Sequence, residues 1–118
     1  MRKPFKITKK TKEDLGGAFD IYDAEVSSGE YKADLWDIDE SNTLLIDGAE
    51  GAAMFLGCAH GELDNCNNAM SDYYEKKDYA RAYHRHARIT KVMEQVLEVY
   101  GDQIESKYYG SWTVKAAE

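Results

Sequence analysis

A chain of 118 residues has room for one domain, spanning 1–118, with a modest core that buries roughly two-thirds of the surface its extended form exposes. Apolar residues at 43%, with nine Tyr and two Trp, are too many for an obligatorily disordered chain, and no apolar run approaches the roughly 20 residues that span a bilayer. The formal charge of −7, the two lone cysteines and a basic start with no signal-type apolar segment behind it predict a cytoplasmic protein with reduced thiols, without membrane or disulfide framework.

In chain order, a short apolar stretch at Phe5-Lys6-Ile7 precedes Thr11-Lys12-Glu13-Asp14, which reads as a helix start with Thr11 as N-cap and carboxylates complementing the dipole. Leu15, Ala18, Phe19, Tyr22 and Val26 then recur at helical spacing, and Ser27-Ser28-Gly29 closes the helix. From Tyr31 to Asp47 the texture alternates, with a polar turn at Asp39-Glu40-Ser41-Asn42, which predicts a hairpin of two short strands. An isolated hairpin is marginal, so Ser111–Lys115 is expected to add a third strand and Phe5–Ile7 a fourth.

The strongest periodicity follows. Leu56, Ala59, Leu63, Cys66, Met70 and Tyr73 form one helical stripe, opened by the capping-box signal Asp47-Gly48-Ala49-Glu50. Tyr79, Ala82, His86, Ile89, Met93, Val96 and Tyr100 form another, closed near Gly101. Joined near Glu75 to Asp78, the two make an antiparallel αα-hairpin. Gly57 and Gly61 weaken the first helix, so either it begins late or another backbone packs closely there. The expected class is α+β: a small antiparallel sheet of two to four short strands against a long αα-hairpin plus an N-terminal helix.

Motifs of known mechanism are absent: there is no G-x-S-x-G, H-E-x-x-H or Walker loop. Cys58, His60, Glu62, Asp64, Cys66, His84 and His86 are zinc-type residues, but their spacing lacks the paired C-x-x-C or H-x-x-x-H form. His86 falls on the apolar stripe and His84 on the opposite face; a small metal-binding or hydrolytic enzyme built on them is the third reading of the chain, and no cofactor is expected. Arg81, Arg85, Arg88 and Lys91 recur along one helix face, either as phosphate contacts or as a solvated back that neutralises acid elsewhere in the fold. Direct nucleic-acid binding is disfavoured by self-repulsion at −7.

The charge is unevenly placed. Residues 1 to 12 carry six bases and no acid, residues 13 to 75 carry sixteen acids against Lys32 alone, and residues 76 to 118 carry eight bases and six acids. Asp34, Asp37, Asp39, Glu40, Asp47 and Glu50 cluster about the predicted hairpin, and Asp20, Asp23, Glu25 and Glu30 precede them. On one face such carboxylates imitate the spaced charge of a phosphate backbone, with Trp36 as an apolar anchor. Dispersed, they serve solubility. In size, composition and charge pattern the chain is similar to small acidic phage and mobile-element proteins that inhibit nucleic-acid-handling host systems of restriction or CRISPR type.

That similarity implies a non-catalytic inhibitor acting in the host cytoplasm, with a basic nucleic-acid enzyme as partner. The alternative of a different class is a homodimeric helical scaffold whose acidic surface only solubilises it.

Overall fold

A computed structural model of the chain describes residues 2–29, 32–72, 76–108 and 110–116, with the side chains at 76, 77 and 107 outside the description. The architecture is α+β, as expected: β1 (Arg2–Lys6), α1 (Lys9–Asp14), α2 (Gly16–Ser27), β2 (Trp36–Ile38), β3 (Thr43–Asp47), α3 (Gly48–Asp72), α4 (Lys76–Tyr100), β4 (Ile104–Tyr108) and β5 (Ser111–Val114). β1, β3 and β2 form an antiparallel sheet in that order, and β4 and β5 a separate hairpin. The body measures 50 × 32 × 29 Å, and α3 packs along α4.

The sheet turns one face to the core because its apolar residues obey the strand period. Phe5 and Ile38 flank Leu44 from either side, and Trp36 pairs with Ile46, all of them buried. The opposite face carries Arg2, Lys6, Asp37, Leu45 and Asp47. β3 is thus the central strand, and the N-terminal segment supplies one of its two partners. The C-terminal strand does not join this sheet: Ser111–Val114 pairs with Ile104–Tyr108, and the hairpin so formed lies against α3.

Two local expectations are corrected. Thr8, not Thr11, caps the first helix: its backbone is extended and its hydroxyl accepts from Thr11 N at 3.0 Å. The helix then breaks at Leu15, whose side chain is fully buried, and restarts at Gly16, where glycine lowers the cost of leaving the regular path. The strand expected from Tyr31 shrinks to Trp36–Ile38; Tyr31 lies outside the described residues, and Asp34 has φ +64, which an extended strand does not accommodate. Here the Tyr22 hydroxyl replaces the ladder, donating to Lys32 O at 2.6 Å and accepting from Leu35 N at 2.9 Å.

The long helices occupy the expected places, and Glu75 of the expected joint lies outside the described residues. α3 buries more than one stripe: Ala52, Ala53, Phe55 and Cys58 are covered as well as Leu56, Ala59 and Cys66. α2, α4, the sheet and the C-terminal hairpin all pack on it, so a helix surrounded on several sides is apolar on several sides. Its first half uses small residues because neighbours come close. A Cβ at Gly51 would collide with the Leu35 carbonyl oxygen, and one at Gly61 would lie 2.7 Å from Ile21 Cδ1. The helix therefore does not start late, and the backbone that packs closely on it does so at Gly51, whereas Gly61 faces the end of a side chain.

On α4 the stripe holds for Ala82, Ile89, Met93, Val96 and Tyr100, all buried, whereas Tyr79 is 48% exposed and His86 half-buried. Tyr79 lies in the first turn of α4. Among the described residues no helix is long and apolar enough to cross a membrane.

Candidate functional site

The carboxylates of the acidic segment have different surroundings, and several stand beside basic residues. Asp39 is used internally: its Oδ1 accepts from Ser41 N, Ser41 Oγ and Thr43 N, each at 3.0 Å, closing the β2–β3 turn. Against the desolvation that raises it, those hydrogen bonds hold the Asp39 carboxyl below its ordinary pKa, with Lys6 assisting. Glu40 stands on the same turn, across an open depression from Lys9 and Lys12. Asp47 sits opposite Arg2 in the β1–β3 register, and Glu50 lies 3.7 Å from Lys32. Lys12 donates to Asp39 O at 3.0 Å and Lys6 to Ser41 O at 3.4 Å. The basic N-terminal segment is thus folded against the acidic hairpin.

Asp34 and Asp37 are brought together, with Asp23. α2 presents Phe19, Tyr22, Asp23 and Val26 along one side, and the Ala33–Asp37 segment crosses in front of them, leaving a notch of about 220 Å³. Three aromatic rings make its inner wall. Phe19 and Tyr22 lie with ring centroids 4.7 and 5.3 Å from Trp36, tilted by 30° and 31°, and Phe55 meets Trp36 edge-on from behind at 5.1 Å. Asp23, Asp34 and Asp37 are exposed at the rim and form no ion pair with any described residue. Arg2, close by, is spent on the Asp34 carbonyl oxygen at 2.9 Å, and Asp37 Oδ1 accepts from Ile38 N at 2.8 Å.

The placement corrects the role expected of Trp36. It is 2% exposed and belongs to the core, so it cannot itself enter a partner. Its Nε1 finds no hydrogen-bonding oxygen or nitrogen among the described residues. Burial, with the charge of Glu25 adding to it, pushes the Cys58 thiol up to about 12, and the Trp36 indole opposes that shift. Phe19, which the sequence reading treated only as a core position, is the half-buried aromatic at the notch.

The arginine stripe is also redistributed. Arg85 donates to Glu62 Oε2 and, at 2.9 Å, to Asp14 O, while Arg88 grips the Asp14 carboxylate through Nε and, at 3.1 Å, through Nη2. Asp14 and Glu62 are 5% and 3% exposed, and Asn65 donates to Glu62 at 3.0 Å. These two arginines therefore stitch α1 and α3 to α4. Arg81 and Lys91 remain exposed. The sequence reading missed Asp14 and Glu62 as their partners because the four residues lie on three helices that only tertiary packing brings together.

The remaining chemistry-bearing residues lie apart. His84 is exposed, its ring 5.7 Å from Tyr83; His86 is half-buried with Nδ1 3.5 Å from Thr90 Oγ1. His60 packs on Trp112 at 5.7 Å and lies 3.7 Å from Asp64. Cys58 and Cys66 are both buried. Among the described residues no three His, Cys, Asp or Glu are grouped so as to hold a metal ion. Compared with protein-family models, curated proteins and solved structures, the chain matches none.

Proposed function

We propose that this chain is a non-catalytic binding module whose acidic notch receives an arginine or lysine side chain from a basic protein, in the manner of an inhibitor that covers the groove of a nucleic-acid enzyme. The observation that carries the reading is the convergence of Asp23, Asp34 and Asp37 around an aromatic wall in a notch of about 220 Å³. That volume falls below the roughly 300–1,000 Å³ of ordinary small-molecule sites and suits one extended side chain. A guanidinium there would meet carboxylates in charge-assisted, bidentate geometry and stack its plane on Phe19. Arginine is favoured over lysine because its planar fork serves both contacts at once.

The contact so formed is a point anchor and not an extended imitation of a phosphate backbone. Arg2, Lys6, Lys12 and Lys32 interrupt the row of carboxylates that such imitation requires. Affinity then comes from one filled notch, and the field of the −7 chain steers a basic partner toward it.

The test is titration of an arginine-rich peptide into the full chain, read by backbone amide shifts, with affinity capture from host extract in parallel. The peptide should perturb residues 19–26 and 33–37, bind more weakly as salt rises, and lose binding in the Asp34→Lys/Asp37→Lys variant. A partner retained equally by that variant removes the notch from the function.

A second reading, self-association through the end of the helical pair, draws on Tyr79 and Tyr83, which are 48% and 55% exposed one turn apart. Light scattering across concentration decides it. A dimer that survives Tyr79→Ser/Tyr83→Ser would not be held by this surface. Met93 and Val96 lie in the core and cannot serve as its interface.

A further inference from the structure

A second depression, sharing no lining residue with the acidic notch, has the opposite character. The end of β1 and the start of α1 pass across α4 and enclose a cavity of about 330 Å³ between Lys6, Ile7, Thr8 and Thr11 on one side and one face of α4 on the other. That face presents Arg88, Lys91, Val92 and Gln95. Ile7 and Val92 make an apolar floor, Val92 being 4% exposed. Lys6 and Lys91 stand exposed at the rim, and no carboxylate lines the cavity although the chain as a whole is strongly acidic.

The donors here exceed the acceptors. Lys91 makes no ion pair with any described residue, and Lys6 donates to the Ser41 carbonyl at 3.4 Å and lies near enough to Asp39 to help lower its pKa. Thr8 and Thr11 share one hydrogen bond between their hydroxyls at 3.0 Å. Each hydroxyl carries a proton, so one is used within the pair and the other has no acceptor among the described residues. Thr11 is 5% exposed and Thr8 is exposed, so the pair's free proton stands at the mouth of the cavity. Arg88, with Nε and Nη2 on Asp14, keeps its Nη1 edge for another acceptor. Two ammonium groups, a hydroxyl proton and a guanidinium edge above an apolar floor call for an anion with three acceptor oxygens on an apolar body.

We propose that this cavity is a binding site for a phosphomonoester carried on a ring, of the size class of a nucleoside monophosphate. The volume lies at the lower end of the range for small-molecule sites. The phosphate oxygens sit between Lys6, Lys91 and the threonine pair, and the ring covers Ile7 and Val92.

Amide-shift titration of the full chain at fixed ionic strength tests the site, with phenyl phosphate as probe and inorganic phosphate and benzoate as parallel arms. The expected result is saturable change confined to residues 6–12 and 88–95, with phenyl phosphate the tightest of the three probes. Lys91→Gln and Lys6→Gln, substitutions of exposed side chains on separate elements, should each weaken it roughly tenfold, the equivalent of one charge-assisted hydrogen bond. Asp23→Asn should leave it unchanged. Shifts that never saturate, benzoate or inorganic phosphate binding as tightly as phenyl phosphate, or indifference to both lysine substitutions would each overturn the proposal.

Discussion

Replacing Asp14 by alanine removes the carboxylate that Arg88 grips with two N–H groups, at a position 5% exposed where α1 meets α4. Breaking a fully buried ion pair from one side costs about 3–5 kcal/mol, whereas exposed pairs contribute only about 0.2–1 kcal/mol. This pair stands between those limits. Asp14 is buried, but the Arg88 side chain is 31% exposed and regains part of its hydration when left alone. The expected loss is therefore about 2–3 kcal/mol. At an unfolding entropy of about 2.1 cal/mol/K per residue, a chain of this length loses about 8–12 °C in Tm.

Urea and thermal denaturation followed by circular dichroism give both numbers, and an unchanged m-value would confirm that only stability has moved. The second arm is Asp14→Ala/Arg88→Met. Once the stranded cation is replaced by an apolar side chain of similar length, at least about 1 kcal/mol should return. A loss under about 0.5 kcal/mol for Asp14→Ala, or strict additivity of the two substitutions, would refute the assignment of Arg88 to an internal stitch. It would return that arginine to the pool of partner-facing charge.

Four further outcomes follow from the packing of α3. Gly51→Ala should destabilise by about 1–2 kcal/mol despite the helix propensity gained, because the new methyl meets the Leu35 carbonyl, which is fixed by its 2.9 Å bond from Asp47 N. Gly61→Ala should instead fall within about 1 kcal/mol of the parent, since the obstructing Ile21 Cδ1 ends a flexible side chain; urea midpoints separate the two. Iodoacetamide at pH 8 should modify neither Cys58 nor Cys66, each 1% exposed, until denaturant opens the fold, as mass spectrometry would record. Stability should be unaffected by the Cys58 thiol below pH 9 and fall as pH rises toward 12: the unfolded thiol ionises near 9.0, while the folded one holds its proton to about 12. Cys58→Ala should flatten that alkaline slope. A slope that persists unchanged would assign the loss to Tyr22 and Tyr100, whose hydroxyls burial also raises.

Much of the fold was readable because its signals are local. The 3-and-4 spacing that runs through Leu56, Cys66, Ile89 and Val96 records which side of each long helix is covered, and the helices stand where that spacing puts them. The Asp39–Asn42 turn was equally legible, since an aspartate that bonds its own downstream amides needs no distant partner. The strand at Arg2–Lys6 was found only in outline, because a short exposed segment with one buried residue, Phe5, carries little periodicity. Where Ser111–Val114 pairs was not legible at all. Among the described side chains of its partner Ile104–Tyr108 only Ile104 is buried, and two-residue periodicity names a strand without naming its neighbour.

Charge shows the same division. The sequence alone determined that a basic start, an acidic middle and an arginine-bearing helix exist, because composition is a property of the chain. Which of those charges cancel was decided only in three dimensions. β1 lies beside β3, which brings Arg2 and Lys6 against the acidic hairpin, and α1 crosses α4, which turns Arg88 toward Asp14. Coulomb interaction depends on separation in space and on exposure to water, neither of which is encoded in separation along the chain. Tertiary packing therefore left three of the many carboxylates around one notch, and two lysines over an apolar floor on a surface shared with none of them.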